Sequence, residues 1–370
     1  MATAMGAMGA MGAMGAMGAM GAMGAMGAMG AGAPDATAST VLLVDALIKT
    51  RGALVAAPDA APLIPPAELA LEDSTPMSRW SPSIRLHIAL FQLIEALDFS
   101  VAEGTATLSH CSLAREPGKR ARAKTFKLAP VVALTRPSAA ALTAQTRLVE
   151  SYAELREDRS SEILAQLTPQ FAFWSAVAHL NLDSRPRTLE LINLALAFAS
   201  HVEMRFKHAF ACARPMDFSA SVQPIIPTPQ HGSFPSGHAT EAFMVAHLLT
   251  RLLPRGRDYQ ESLQLLAART SINRTVAGVH FPVDSWAGRV LGQSLAEYFI
   301  YRATGSPGGH APYHGAAWHS RSYAVTDFNA DFPAVPAELP TGHAEPLPEH
   351  EIADGATRWV WQHAAAEWRP

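Results

Sequence analysis

Apolar residues in the middle of the chain recur with the period of an α-helix. Leu86, Leu90, Leu93 and Leu97 follow one another at i, i+4, i+7 and i+11, which places them on one helical face. Further helical patterns cover residues 139–157, 159–180 and 186–213, and others begin near Ser236, at Asp258 and near Pro282. We find no alternating strand pattern and no Asn-Gly hairpin turn. The pattern therefore predicts an all-α fold, a helical bundle.

The two ends of the chain differ from this helical region. Residues 1–40 form a low-complexity tail, in which Met-Gly-Ala repeats from Met5 to Met29, and residues 41–80 are typical of a linker. The helical domain is predicted over 81–303, and it carries all the candidate chemistry. Residues 304–370 are rich in Gly, Pro and His, so we expect an irregular C-terminal tail that wraps the core.

Composition narrows the possible functions. The 370 residues are 49% hydrophobic, which is ample for a core, and the net charge of −3 gives no electrostatic case for nucleic-acid binding. Cys111 and Cys212 lie too far apart in sequence to form a metal motif or a disulfide framework. A transmembrane helix needs about 20 apolar residues, and no segment qualifies. Because no signal peptide is evident either, the sequence predicts a soluble protein without a membrane span.

Three short motifs bring together the residue types that bind a tetrahedral oxyanion. They are Lys207 followed by Arg214-Pro215; Pro235-Ser236-Gly237-His238; and Arg274, His280 and Asp284. Arginine presents a planar fork that matches phosphate oxygens, and lysine adds a compact positive charge. Because Pro215 cannot continue a helix, we expect Arg214 at the end of the helix that carries Lys207.

The remaining motif residues suit anion binding and proton transfer. Ser236 and Gly237 precede a helical pattern, so their N–H groups are expected at a helix N-terminus, where anions bind. His238 is the candidate general acid–base, with a pKa lowered by the cations nearby. Asp284 follows His280 by four residues and can accept a hydrogen bond from its ring. That bond would leave the other ring nitrogen of His280 free to attack phosphorus or coordinate vanadium.

The order and spacing of these motifs resemble those of the superfamily that joins vanadium-dependent haloperoxidases, class A acid phosphatases and type 2 phosphatidic acid phosphatases. Every element of its pattern is matched except one serine, whose place is taken by Asn273, a residue that can still form hydrogen bonds. The resemblance implies a helical bundle of the haloperoxidase and acid phosphatase type. The lipid phosphatases of the superfamily are multi-span membrane proteins, and this sequence shows no such spans. The chain is therefore expected to resemble the soluble branches more closely.

The resemblance implies two reactions for the same pocket. In the haloperoxidase-like interpretation, which the sequence favours slightly, His280 anchors a vanadate cofactor and His238 assists peroxide in oxidising halide. His231 supports it, since the bromide-oxidising members are similar in having histidine near this position. In the alternative, a phosphatase without a cofactor hydrolyses phosphomonoesters through a phosphohistidine at His280. Either enzyme acts on small molecules, with Lys207, Arg214 and Arg274 stabilising the oxyanion.

Two other classes of function remain open. A non-catalytic scaffold would keep the fold without the chemistry, yet every chemical side chain of the motifs is present. A metal-binding module could instead use the histidines of the C-terminal tail, whose irregular spacing favours a solvated loop. These histidines are His310, His314, His319, His343, His350 and His363.

Overall fold

The computed structural model describes residues 41–53, 68–69, 73–113, 126–168, 170–305, 316–320, 326–329 and 355–369. The α-helices in these ranges are α1 (Val41–Ala53), α2 (Pro82–Ile94), α3 (Ala139–Ser151), α4 (Arg156–Ala165), α5 (Phe171–Ala178), α6 (Pro186–Phe210), α7 (Pro215–Phe218), α8 (Gly237–Leu252), α9 (Gly256–Val276), α10 (Pro282–Thr304) and α11 (Ala356–Ala366). The strands are β1 (Leu97–Ala102), β2 (Thr105–Leu113), β3 (Phe126–Thr135) and β4 (Ala316–His319).

The fold is mostly helical, but the prediction of an all-α bundle was wrong in one respect. The four strands form one sheet in the order β1-β2-β3-β4, antiparallel except for the parallel pair β3–β4. The sheet packs against α10 through β3 and β4. Leu97, predicted on a helical face, begins β1.

The irregular register of β2 explains why the alternation escaped detection. Ala106 and Leu108 are buried and alternate with half-buried threonines, but a register shift follows Leu108, and Ser109 is then buried as well. Ser109 pairs with Pro130, a residue that normally argues against a strand interior because it lacks an N–H donor. The bulge accommodates this proline and breaks the period of two.

The turn between β1 and β2 is formed by a Glu-Gly pair, which is not a common sequence signature of a hairpin turn. Glu103 and Gly104 both have positive φ, at 49° and 75°, which is the backbone conformation of a two-residue hairpin turn. Asn-Gly is the usual pair at such turns, so a search for it misses Glu-Gly. Glycine supplies one left-handed position without strain, and Glu103 accepts the other.

The core is built around α6, α8 and α10. α6 is buried along most of its 25 residues, and α8 packs against both α6 and α10. Gly288 and Gly292 of α10 allow a close approach, because a Cβ atom on Gly292 would lie 2.3 Å from the carbonyl oxygen of Thr240 in α8. α9 packs against α8, and α4 and α5 pack against α9. The three motifs therefore lie on helices that are packed together.

Several predicted helix boundaries differ from the structure. Residues 139–157 hold α3 and the start of α4, and residues 159–180 hold the rest of α4 and α5 instead of one helix. The helix that carries Lys207 ends at Phe210, three residues earlier than predicted, because Ala211 adopts a left-handed conformation and its N–H donates to the carbonyl oxygen of Lys207. α9 begins at Gly256, so Asp258 does not cap it and instead forms an ion pair with Arg255.

The two ends of the chain also differ from the prediction where they are described. α1 lies within the predicted linker, and α11 lies within the C-terminal tail that was predicted to be irregular. α11 is helical because it is amphipathic, and its Trp359 and Val360 are buried against α2 and α6. The repeat in residues 1–40 lies outside the described residues, as do His310, His314, His343 and His350.

Candidate active site

Lys207 lies in the last turn of α6 and is 1% exposed. Its ammonium group donates to the carbonyl oxygens of Gly232 and Ser233, each at 3.4 Å, and to that of Pro235. Burial lowers the pKa of Lys207 to about 8, although the nearby Glu203 opposes the shift. The lysine thus holds the loop before α8 and adds a positive charge beneath it.

Arg214 follows the left-handed turn and lies in extended backbone just before α7, not at the end of α6. Its guanidinium donates to the carbonyl oxygens of His231, Gly232 and Val279, the last at 2.8 Å. Nη1 also lies 3.2 Å from Nε2 of His280. The fork therefore joins the loop before α8 to the loop before α10.

Ser236 and Gly237 form the N-terminus of α8, as the sequence predicted. The Ser236 hydroxyl caps the helix by accepting from the N–H of Ala239 at 3.4 Å. The N–H of Ser236 donates to the carbonyl oxygen of Asp284 at 2.9 Å, so this group is engaged within the protein. Gly237 lies against the carboxylate of Glu203, and a Cβ atom would be 2.6 Å from its Oε1. Only glycine fits there without displacing that side chain.

His280 and Asp284 form a buried pair at the start of α10. Nδ1 of His280 lies 2.9 Å from Oδ2 of Asp284, which also accepts from the N–H of Phe281 at 3.0 Å. Burial, followed by the charges of Arg214 and Lys207, holds the pKa of His280 well below its usual value. The ring is therefore neutral, with its proton on Nδ1 and the lone pair of Nε2 directed towards Arg214.

His238 lies in the first turn of α8 and is partly exposed. Its Nε2 donates to the backbone carbonyl oxygen of Gln166 at 3.0 Å. Burial, together with the guanidinium of Arg274, lowers the pKa of His238 to about 3. Because a carbonyl oxygen can only accept, Nε2 carries the proton and Nδ1 remains for exchange with a ligand.

Arg274 is 1% exposed and approaches from α9. Its Nη2 donates to Oε1 of Gln166 at 3.0 Å and to the carbonyl oxygen of Ile163 at 3.2 Å. Within the described part of the chain, Nε and Nη1 of Arg274 have no hydrogen-bond partner although both are buried. Buried donors of this kind are costly unless a ligand satisfies them, and an oxyanion would do so.

His231 lies beside the same cluster. Its Nδ1 is 3.2 Å from Nη2 of Arg214, and the residue is partly exposed. Burial and the charge of Lys207 lower the pKa of His231 to about 4, so the ring is neutral. The structure thus brings His231 to Arg214, where a neutral imidazole can contact a ligand.

Three polar residues near the site were not singled out in the sequence. Gln166 contacts both Arg274 and the ring of His238. Glu203 precedes Lys207 by one helical turn, a spacing that could have indicated a charge pair. Burial raises the pKa of Glu203 to about 7 and that of Glu241 well above its ordinary value. No comparable sequence pattern points to Gln166, because it lies at no motif spacing from the other site residues.

Comparisons with known proteins agree with the motifs. Residues 189–305 match the family model of the PAP2 superfamily, and this range contains all three motifs. A solved structure, the first transmembrane PAP2 type phosphatidylglycerolphosphate phosphatase from Bacillus subtilis, matches with 21% identity and a TM-score of 0.35. The match covers 43% of this chain and 84% of that one. No curated protein matches the chain.

The prediction that the protein is soluble is corrected by this match, because the matched phosphatase is a transmembrane protein. The chain is therefore not assigned to a soluble branch. None of the helices in the described ranges combines the length and the apolar character that a membrane crossing requires. Residues 189–305 are thus similar to the PAP2 superfamily, and the three motifs, from Lys207 to Asp284, lie inside this match.

Proposed function

We propose that the protein is a phosphatase that hydrolyses phosphate monoesters through a phosphohistidine at His280. The observation that carries this proposal is the arrangement of His280: its Nδ1 is held by Asp284 at 2.9 Å, and Nε2 faces Arg214 at 3.2 Å. A neutral imidazole with an oriented lone pair among buried cations is suited to attack phosphorus.

The first chemical step forms a bond between Nε2 of His280 and phosphorus and breaks the bond from phosphorus to the ester oxygen. Arg214 turns its Nη1 from His280 to the phosphate, and the free donors of Arg274 bind the equatorial oxygens. The leaving oxygen takes a proton from Nδ1 of His238 in its imidazolium form. The pKa of His238 is lowered by burial and by the nearby cations, and the negative charge of the substrate supports the imidazolium form because it offsets those cations.

The second step hydrolyses the phosphohistidine. His238, now neutral, accepts a proton from water at Nδ1, and the water oxygen forms the new bond to phosphorus. The bond from phosphorus to Nε2 of His280 breaks, and inorganic phosphate leaves. Asp284 keeps the ring of His280 in place throughout, since it accepts from both Nδ1 and the N–H of Phe281.

The haloperoxidase interpretation, which the sequence favoured, gains no support from the comparisons, whereas the phosphatase alternative agrees with the family match. Vanadate has the shape and charge of phosphate, so His280, Arg214, Arg274 and Lys207 suit it equally well. Bound there, vanadate would supply the activation of peroxide for halide oxidation. For a phosphatase it is instead an inhibitor.

Parallel assays of the purified protein test the proposal. One uses p-nitrophenyl phosphate without vanadate, and the other uses vanadate, hydrogen peroxide and bromide. We expect ester hydrolysis that vanadate inhibits and that His280→Ala removes. The control is His208→Ala, because His208 is exposed and adjacent to Lys207 in sequence. Bromide oxidation that depends on vanadate and on His280, without ester hydrolysis, would refute the proposal.

A further inference from the structure

Gln166 lies at the C-terminal end of α4, is fully buried and contacts two site residues from different helices. Its side-chain Oε1 accepts from Nη2 of Arg274 at 3.0 Å, and its backbone carbonyl oxygen accepts from Nε2 of His238 at 3.0 Å. Arg274 belongs to α9 and His238 to α8. One residue therefore fixes the two relative to each other.

The amide of Gln166 can adopt only one orientation here. Oε1 also accepts from Nδ2 of Asn273 at 3.0 Å, and Oδ1 of Asn273 accepts from Arg159 at 3.0 Å. Nε2 of Gln166 donates to the carboxylate of Glu162 at 3.2 Å. Exchange of the oxygen and nitrogen would place donor against donor at Arg274. The network thus fixes the oxygen on the side of the guanidinium.

This contact determines where the rest of the guanidinium points. Nη2 is held by Gln166 and by the carbonyl oxygen of Ile163, whereas Nε and Nη1 have no partner within the described residues. A planar fork anchored at one end presents its remaining donors in a fixed direction. Without that anchor, Arg274 would have to lose conformational freedom when an anion binds.

The backbone of Gln166 acts on His238 in a second way. Its carbonyl group is at the C-terminus of α4, where the partial negative charge of a helix favours a cation. The same contact raises the pKa of His238 against the lowering caused by burial. The imidazolium form of His238 is thereby supported by this carbonyl oxygen.

We propose that Gln166 is a positioning residue of this site, which aims Arg274 at the bound oxyanion and holds His238 beside it. The part that concerns Arg274 requires only that the pocket binds an oxyanion. The part that concerns proton transfer by His238 rests on the proposed phosphatase function.

A second buried glutamine provides a matched control. Gln170 is 3% exposed, and its Oε1 accepts from Thr270, which is one turn before Arg274 on α9. Both glutamines therefore bridge to the same helix, but within the described part of the chain Gln170 forms no hydrogen bond with a motif residue. A purely structural role would make Gln166→Met and Gln170→Met equivalent in their effect on anion binding.

The test is a double-mutant cycle in the full-length protein, with inorganic phosphate as the probe and calorimetry as the readout. We expect Gln166→Met to raise the phosphate Kd about tenfold, the loss of one hydrogen bond to a charged group. In an Arg274→Ala background, the same substitution should change the Kd less than about twofold, because its effect acts through the missing guanidinium. Gln170→Met should leave the Kd unchanged.

Gln166→Asn covers the case in which the methionine variant does not fold. It keeps a buried amide but withdraws the oxygen from Arg274, so its Kd should also rise. Equal phosphate affinities for the Gln166 and Gln170 variants, or an undiminished effect of Gln166→Met without Arg274, would overturn the proposal. Because the readout is phosphate binding, a protein that binds phosphate but hydrolyses no ester would refute the proposed function and leave this inference intact.

Discussion

Each cation of the candidate site is buried, and backbone carbonyl groups make this possible. Lys207 and Arg214 share the carbonyl oxygen of Gly232 at 3.4 and 3.3 Å, so two positive charges meet on one acceptor. Burial lowers the pKa of Arg214 to about 10 and that of Arg274 also to about 10. Positive charges held this close together are unfavourable in the empty site. An anion that binds there neutralises them, so the arrangement favours anion binding.

Asp284 should matter for the rate more than for binding. Asp284→Asn keeps the ring of His280 close to its position but removes the charge that stabilises it as phosphorus is attacked. We expect kcat to fall by about 10²-fold or more, within the range typical of acid–base and orienting groups, with a smaller change in phosphate Kd. Steady-state kinetics and calorimetry on the same preparation check this split. A variant with wild-type kcat would show that the pair is only structural.

Anion binding should weaken at alkaline pH. The pKa of Glu203 is raised to about 7, and above it a negative charge develops beside Lys207. The pKa of Lys207 is lowered to about 8, and above it the ammonium group loses its proton. A bound dianion favours the protonated form of both groups, so binding takes up protons and affinity falls as pH rises from about 7 to above 8.

Sulfate suits this measurement, because its charge stays constant over the range. We expect Glu203→Gln to bind sulfate more tightly than the wild type at pH 8 and to retain the decline that belongs to Lys207. Calorimetric titration from pH 6 to 9 gives both. Affinity that is independent of pH, or that rises with it, would mean that these groups do not face the anion.

At the scale of elements, the close packing of α8 on α10 sets the geometry of the motifs. A Cβ atom on Gly292 would lie 2.3 Å from the carbonyl oxygen of Thr240, and one on Gly288 would lie 2.7 Å from that of Ser236. The first contact lies one turn inside α8, and the second is at Ser236, which caps its N-terminus. Substitutions at both positions should therefore lower stability, and the one at Gly288 should also disturb the anion site.

We expect Gly292→Ala and Gly288→Ala each to lower the free energy of unfolding by about 1–3 kcal/mol, as overpacked cores do. Gly288→Ala should also raise the phosphate Kd, because it displaces Ser236 next to Gly237. Urea denaturation and calorimetry measure the two effects. Wild-type stability in both variants would show that the helices can separate freely.

The helices that carry the motifs were predictable from sequence, and the sheet was not. Pro186 and Pro282 begin α6 and α10, and the apolar period of residues 242–252 indicates α8. The strands were hidden because a bulge at Leu108 and Ser109 breaks their alternation. The early end of α6 depends on Ala211 in a left-handed conformation, which composition does not indicate.

Across the whole molecule, segments without motifs pack against the loops and helices that carry the site. Trp318 of β4 packs against Phe234 with ring centroids 5.9 Å apart, and Phe234 precedes Pro235 in the motif loop. α11 packs on α6, where Arg85 and Glu190 form a buried ion pair at 2.5 Å beneath Trp359. The sequence marks none of these contacts, because each joins segments that are far apart along the chain.

Glu367 should stabilise the fold through the N-terminus of α6. Its carboxylate accepts from the N–H groups of Arg187 and Thr188 at 2.6 and 2.8 Å, and from the Thr188 hydroxyl at 2.7 Å. We expect Glu367→Ala to lower the free energy of unfolding by about 1–3 kcal/mol, because it leaves these donors without a partner. The phosphate Kd should not change, since Lys207 is at the opposite end of the helix.

Urea denaturation compares this variant with Glu154→Ala, in which the replaced carboxylate is exposed. Equal stability of the two would show that the C-terminal segment does not hold α6. A large rise in phosphate Kd for Glu367→Ala would instead mean that the two ends of α6 are coupled.

If His280 is the nucleophile, it becomes phosphorylated during turnover. The direct measurement is rapid quenching of the protein with p-nitrophenyl phosphate under alkaline conditions, where phosphohistidine survives, followed by peptide mass spectrometry. We predict one phosphoryl group on the ring of His280, formed and lost at rates that account for turnover, and absent in His280→Ala. Hydrolysis that proceeds at the wild-type rate in His280→Ala, or with phosphate on a different residue, would show that His280 is not the nucleophile.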